Sequence, residues 1–322
     1  MQSKFRSTCR VSIGIASLLL FLFAGVAYAG PVIDVAFQSN TPARPTEPRL
    51  QVKAKLYLPD NAGAPMPAMV ILPSSAGVKK EREIYYARQL ARVGIAALVV
   101  DSFATRGLTR GDTTVLSALP LENDAVAAFR WLLADGRFKP DRIGVMGVSK
   151  GGVAAMNTAL QVRRRWWRME DIAFAAHIPI VPNCHLVNTS LRTTGAPMFF
   201  MLAELDDLTP ARFCVEHAER LRSAGNARIE VKVYKGAHHG WESISAKPGF
   251  DPKFANTSHC RVSIDDDGAA LTPDGKKLPD GGLNDWMRQN CMYFGHHCCA
   301  GTPALIKEAT GDLIRFLKKH GF

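Results

Sequence analysis

Short apolar runs rich in β-branched residues alternate with segments of helical spacing from residue 67 to residue 234. The runs Ala68 to Leu72, Ile95 to Val100, Ile143 to Met146, Phe174 to Ile178, Met198 to Leu202 and Ile229 to Tyr234 read as core strands. Runs that are mostly apolar suit strands buried on both faces, and the intervening helices would then cover a mostly parallel sheet. Val32 to Phe37 and Leu50 to Leu58 are expected to form an antiparallel edge. Helices are expected at Glu81 to Val93, Leu121 to Ala134, Lys150 to Val162, Ala211 to Ala224 and Pro303 to His320. The last two are well punctuated. Thr209 and Thr302 are good N-cap residues, Pro210 and Pro303 suit the first helical position, and Gly225 and Gly321 suit the stop. The fold class this implies is α/β.

Two segments break the pattern. The chain starts with Lys4, Arg6 and Arg10, runs through an apolar stretch from Ile13 to Val26 and offers Ala27-Tyr28-Ala29, which reads as a signal peptide over residues 1–29. Export to a periplasmic or extracellular location is therefore expected, with Gly30 first in the mature chain and no stable membrane anchor. Residues 30–322 are expected as one α/β domain. The other segment, from Glu242 to Gly301, is rich in Gly, Pro, Asp and Cys and far longer than an ordinary connection. It reads as an excursion over the active-site face.

Composition changes the picture in two respects. Of the seven cysteines only Cys9 lies in the leader, so the mature chain keeps Cys184, Cys214, Cys260, Cys291, Cys298 and Cys299, an even set that favours disulfides in an oxidising compartment. The formal net charge of +11 could favour acidic partners, and Arg163-Arg164-Arg165-Trp166-Trp167-Arg168 mixes cations with aromatics. That stretch is isolated, however, and reads as the exposed end of a helix with two Trp packed beneath it. No nucleic-acid partner is expected.

The candidate chemistry begins at Gly147-Val148-Ser149-Lys150-Gly151-Gly152, which matches G-x-S-x-G between an expected strand and an expected helix. A turn that sharp needs small residues around the serine, and it lifts the hydroxyl clear of the sheet beside a helix N-terminus. Serine is a weak nucleophile and needs a base, which in turn needs an acid. In this architecture they follow in the order acid, then His, each after a core strand. Asp206 or Asp207 follows Met198 to Leu202, and His238 or His239 follows Ile229 to Tyr234. Two backbone donors are expected to hold an oxyanion, the N–H of Lys150 and that of Ser75 in Pro73-Ser74-Ser75-Ala76-Gly77.

These motifs, with Val99-Val100-Asp101-Ser102-Phe103-Ala104-Thr105-Arg106-Gly107, Glu204-Leu205-Asp206-Asp207-Leu208-Thr209-Pro210 and Tyr234-Lys235-Gly236-Ala237-His238-His239-Gly240-Trp241, resemble the dienelactone hydrolase family of α/β-hydrolases over about residues 50–242 and again at the closing helix. The resemblance implies the α/β-hydrolase fold. It selects His239, second of its pair, as base and Asp206, four residues before Pro210, as acid. It also implies a substrate-binding role for Arg106, because related enzymes supply an arginine to a substrate carboxylate from this loop, and for Phe103 and Trp241 within the matched motifs. Family members carry cysteines near the positions of Cys184 and Cys214, which implies a bridge between these two, with the other four pairing in the excursion. This elbow carries Ser149 where dienelactone hydrolases proper carry cysteine, and Pro73-Ser74 stands where His-Gly often follows the strand.

Neither Cys291, His296, His297, Cys298 and Cys299 nor Asp265-Asp266-Asp267-Gly268 has the spacing of a known metal site, and no metal or cofactor is expected. The leading function is hydrolysis of a small carboxylic ester or lactone through an acyl-enzyme. The alternatives are a peptidase resembling prolyl oligopeptidase and a non-catalytic binding protein on the same fold.

Overall fold

The computed structural model describes residues 30–40, 49–60, 63, 65–108, 117–242, 248–299 and 301–322. The expected signal peptide lies outside the described residues. Among them, no helix is long and apolar enough to cross a membrane.

The sheet is built from β1 (Val32–Ser39), β2 (Leu50–Tyr57), β3 (Met66–Leu72), β4 (Ala96–Val100), β5 (Phe138–Val148) and β6 (His177–Ile180). After a short β7 (Leu186–Asn188), which stands outside it, β8 (Met198–Ala203) and β9 (Ile229–Tyr234) complete it. Its order is β1-β2-β4-β3-β5-β6-β8-β9; β1 and β2 pair antiparallel, β2 meets β4 antiparallel, and the rest run parallel. This is the α/β-hydrolase fold. Alternation along each strand feeds two cores. In β8, Met198, Phe200 and Leu202 pack with Leu221 of α5 (Ala211–Ser223), whereas Phe199 and Met201 pack with Phe316 of α7 (Pro303–Lys319). Tyr86 and Leu90 of α1 (Glu83–Arg92) share the α7 face, and Leu121 and Phe129 of α2 (Ala118–Ala134) lie opposite.

Three expectations need correction. The helix expected over Lys150 to Val162 is two, α3 (Lys150–Asn157) and α4 (Gln161–Trp166), because Leu160 is extended and its segment bridges to Thr193. The strand expected at Phe174 to Ile178 begins at His177, since the Ala175 N–H bonds the Ile143 carbonyl before the ladder starts. Thr209 does not cap α5, whose N-cap is Pro210. Thr302, by contrast, caps α7 by accepting from the Leu305 N–H at 3.1 Å.

The excursion has structure of its own. β10 (Gly249–Asn256) pairs with β13 (Tyr293–Cys298), and β11 (Val262–Ile264) joins β12 (Ala270–Leu271) and β7, with α6 (Leu283–Asn290) between the two small sheets in sequence. A Cys260–Cys291 disulfide closes it, and Cys184–Cys214 ties the segment after β6 to α5 as expected. Cys298 and Cys299 share no disulfide in this structure; their Sγ atoms are 2.6 Å apart. The Arg163 to Arg168 stretch is a docking surface rather than an open cationic patch. Arg163 is buried, Arg164 Nη2 donates to the Met169 and Ile172 carbonyls, and Trp166 Nε1 donates to the Asp266 carbonyl of the excursion at 3.0 Å.

Candidate active site

Strand β5 ends at Val148 and α3 begins at Lys150, so one residue makes the whole turn. That residue is Ser149, held at φ 55°, a region most side chains avoid. The flanking glycines are sterically required. A Cβ on Gly151 would sit 2.6 Å from the carbonyl oxygens of Leu72 and Pro73, and one on Gly147 would collide with the Gly151 carbonyl. The motif is small because β3 and α3 touch here.

Ser149 Oγ lies 3.1 Å from Nε2 of His239, and Nδ1 of the same ring lies 2.8 Å from Oδ2 of Asp206. The carboxylate facing Nδ1 calls for its proton, which leaves Nε2 to accept from the serine hydroxyl. Every lone-pair direction of Asp206 is engaged. Oδ1 accepts from the N–H groups of Leu208 and Thr209 at 3.0 and 2.7 Å, and Oδ2 accepts from Thr209 Oγ1 at 2.7 Å as well as from the imidazole. Burial alone would raise the Asp206 carboxyl, but His239 and the Thr209 donors outweigh it and hold it below its ordinary value. Burial likewise opposes charging His239, yet Asp206, with a smaller contribution from Glu242, lifts it above its ordinary value.

Ser75 sits in the turn after β3. Its neighbours are already engaged: the Ser74 N–H bonds Glu83 Oε1, the Ala76 N–H bonds Ser74 Oγ, and the Gly77 N–H bonds the Ser74 carbonyl. Glu83 also accepts from the Lys79 N–H at 2.8 Å and from Arg82 Nε at 2.7 Å, while Arg82 Nη2 donates to the Gly77 carbonyl. A buried ion pair thus fixes the loop. Lys150 opens α3 at the positive end of the helix, and burial pulls its ammonium down to about 8. Beside the loop is a cavity of about 210 Å³ lined by Ser75, Gly77, Lys79, Asp101 and Phe103.

The expected substrate residues fare differently. Phe103 is almost wholly buried and reaches that cavity only as part of its wall. Arg106 does not face a substrate. Its side chain has no exposed surface, and its guanidinium grips the Asp124 carboxylate at 2.7 and 2.9 Å and the Ser102 carbonyl at 2.8 Å. Trp241 is also excluded from a substrate surface, being fully buried with its ring edge-on to Tyr234 at 4.9 Å. A motif match conveys which residue stands at a position, whereas the direction of its side chain depends on what packs around it.

Several neighbours were missed. Thr209 looked like a helix cap and instead completes the acid's hydrogen bonds. Asp207, beside the acid, accepts from the N–H of His297 at 2.9 Å and from its Nδ1 at 2.7 Å, tying β13 to the acid loop. His296 stands edge-on to His239, ring centroids 5.9 Å apart. Glu242 is buried, and burial raises its carboxyl, an effect only partly offset by Arg82. None of these roles had a sequence signal, because each depends on where the side chain points in the folded chain, and the Asp207–His297 contact spans 90 residues. Among the described residues no group of three or more His, Cys, Asp or Glu is placed to hold a metal ion.

Comparisons with known proteins agree with this architecture. The model of the dienelactone hydrolase family matches residues 52–263. A Bradyrhizobium sp protein described as a probable 2-oxo-3-(5-oxofuran-2-ylidene)propanoate lactonase is 23% identical over 189 residues, 55% of this chain and 73% of that protein. A bacterial heroin esterase has the same fold, at TM-score 0.50 and 17% identity, with 67% of this chain and 79% of that one covered. The propionate-bound esterase Est2 of Thermogutta terrifontis is similar at TM-score 0.47 and 19% identity, covering 64% of this chain and 85% of that one.

Proposed function

The chain belongs to the dienelactone hydrolase family, and from that premise we propose that it is a serine hydrolase that cleaves a small carboxylic ester or lactone through an acyl-enzyme. The observation that carries this reading is the unbroken hydrogen-bond path from Ser149 Oγ through His239 to Asp206. Ser149 Oγ attacks the carbonyl carbon as its proton passes to Nε2 of His239, and Asp206 stabilises the imidazolium that forms. The oxyanion is held by the N–H groups of Ser75 and Lys150, in a turn whose other donors are engaged. Collapse of this intermediate expels the alcohol oxygen, which takes the proton from His239. Water then repeats the sequence on the acyl-enzyme, releasing the acid and restoring Ser149. The relative described as a lactonase and the structure described as a heroin esterase support the substrate class.

Labelling with a fluorophosphonate probe, followed by a panel of ester, lactone and peptide substrates, tests the reading. Ser149→Ala is expected to abolish labelling and turnover of esters or lactones. Turnover of peptides alone would redirect the proposal to a peptidase, and no labelling of the folded parent would favour a binding protein. Export, proposed from the leader, is checked by a mature N-terminal mass beginning at Gly30.

A further inference from the structure

Cys298 closes β13 and Cys299 follows it, immediately beside the proposed base. Residue His239 forms a parallel bridge with Cys298, and the Cys299 N–H donates to the His239 carbonyl at 2.9 Å. One residue upstream, His297 holds Asp207, next to the proposed acid. Three consecutive residues of the excursion therefore grip both catalytic loops.

The two sulfurs face each other at 2.6 Å. Carbon atoms in van der Waals contact settle at about 3.5–4.0 Å and sulfur is no smaller, whereas a disulfide lies at about 2.05 Å, so this separation is too short for two thiols at rest. The backbone is shaped for a bridge as well. Cys299 is at φ 79°, a left-handed conformation that a non-glycine residue holds only when its surroundings impose it. The other four described cysteines are already paired with one another.

We propose that Cys298 and Cys299 form a vicinal disulfide that clamps the excursion onto the His239 loop and makes the enzyme responsive to thiol redox state. Its effect on activity rests on the serine-hydrolase reading; its existence does not. Adjacent Cα atoms are about 3.8 Å apart, below the range of about 4.4–6.8 Å usual for bridged cysteines, so the ring is tight by covalent necessity. Tight, accessible bridges are the more easily reduced ones, and both cysteines are partly exposed. Closure proceeds by exchange with a disulfide donor. The thiolate of one cysteine attacks the donor, giving a mixed disulfide and one donor thiol. Its neighbour then attacks the protein sulfur and releases the second donor thiol, so two electrons and two protons leave the pair. A dithiol reverses both steps. Closing the bridge covalently fixes the left-handed Cys299 and the hydrogen bond on the His239 carbonyl, which in the open form are held by non-covalent contacts alone and open more readily.

The full chain is equilibrated in mixtures of oxidised and reduced dithiothreitol, alkylated and digested, and the same samples are assayed for fluorophosphonate labelling and for hydrogen exchange at the Cys299 amide. The expected result is a peptide lighter by two hydrogen atoms in the oxidised samples, opened under conditions that leave Cys184–Cys214 and Cys260–Cys291 intact. Opening should speed exchange and slow labelling by about tenfold, as displacement of a catalytic group does, and reoxidation should restore both. In the C298S/C299S double variant labelling should no longer respond over that window. Alkylation of both cysteines even after oxidation overturns the bridge. A bridge that forms while exchange and labelling stay constant, or a response that survives in the double variant, overturns the clamp. If no sample labels but exchange still follows the bridge, the clamp stands and the hydrolase reading falls.

Discussion

Asp206 and Asp207 are chemically identical neighbours with different tasks. Asp206 is buried and faces the imidazole, whereas Asp207 turns outward to His297. Successive side chains leaving a strand point in different directions, so only one can reach the ring. Asp206→Asn is expected to lower turnover by at least about a hundredfold with the fold intact, since it removes the group that orients and charge-stabilises the base. Asp207→Asn should stay within about tenfold of the parent, because Asn still accepts from the His297 N–H. Turnover numbers and circular dichroism of both purified variants decide the ranking. The pH dependence follows from the same ring. Only neutral His239 can accept the serine proton, so kcat/KM should rise with pH. Because Asp206 lifts the imidazole, the half-point should lie above about 6.5. Glu242 adds to the lift, so in Glu242→Gln the half-point should move to lower pH; a pH–rate profile of parent and variant checks both directions. Ser149, Asp206 and His239 were legible because their order after successive strands is a chain-level pattern. Glu242 and Thr209 were not, since a buried carboxylate or a shared hydroxyl leaves no periodicity.

At the scale of elements, Arg106 shows what a loop motif conceals. It is the residue through which the loop after β4 is fastened to Asp124 on α2, and both side chains are wholly buried. Removing one member of such a pair leaves an unpaired buried charge, which costs about 3–5 kcal/mol. Arg106→Met is therefore expected to lose stability on that scale in denaturant unfolding. The KM of the folded fraction should change little, whereas a substrate-carboxylate contact would raise it while sparing stability. The break between α3 and α4 has a similar origin. Apolar spacing continues through Leu160, but that residue pairs with Thr193, and pairing with a distant segment overrides local helical preference.

For the molecule as a whole, the excursion and the disulfides join parts of the chain that the sheet leaves apart. The Cys184–Cys214 bridge closes a loop with a sequence separation of 30 and sits in the core beside Leu202 and Leu221. Such a cross-link restricts the unfolded chain, so the C184S/C214S variant is expected to be less stable by about 2–4 kcal/mol, with denaturant unfolding as the check. The sequence by itself determined the sheet and the order of the candidate residues Ser149, Asp206 and His239, because alternating apolar runs and sharp turns are dictated by neighbours a few residues away. It also contained the Cys184–Cys214 pairing only through resemblance. The tertiary structure decided that Arg106 and Trp241 turn inward, that Thr209 bonds Asp206 rather than capping a helix, and that His297, Cys298 and Cys299 lie against the loops of Asp207 and His239. Arg106 meets Asp124 across 18 residues and Asp207 meets His297 across 90, and spacing along the chain carries no record of such meetings.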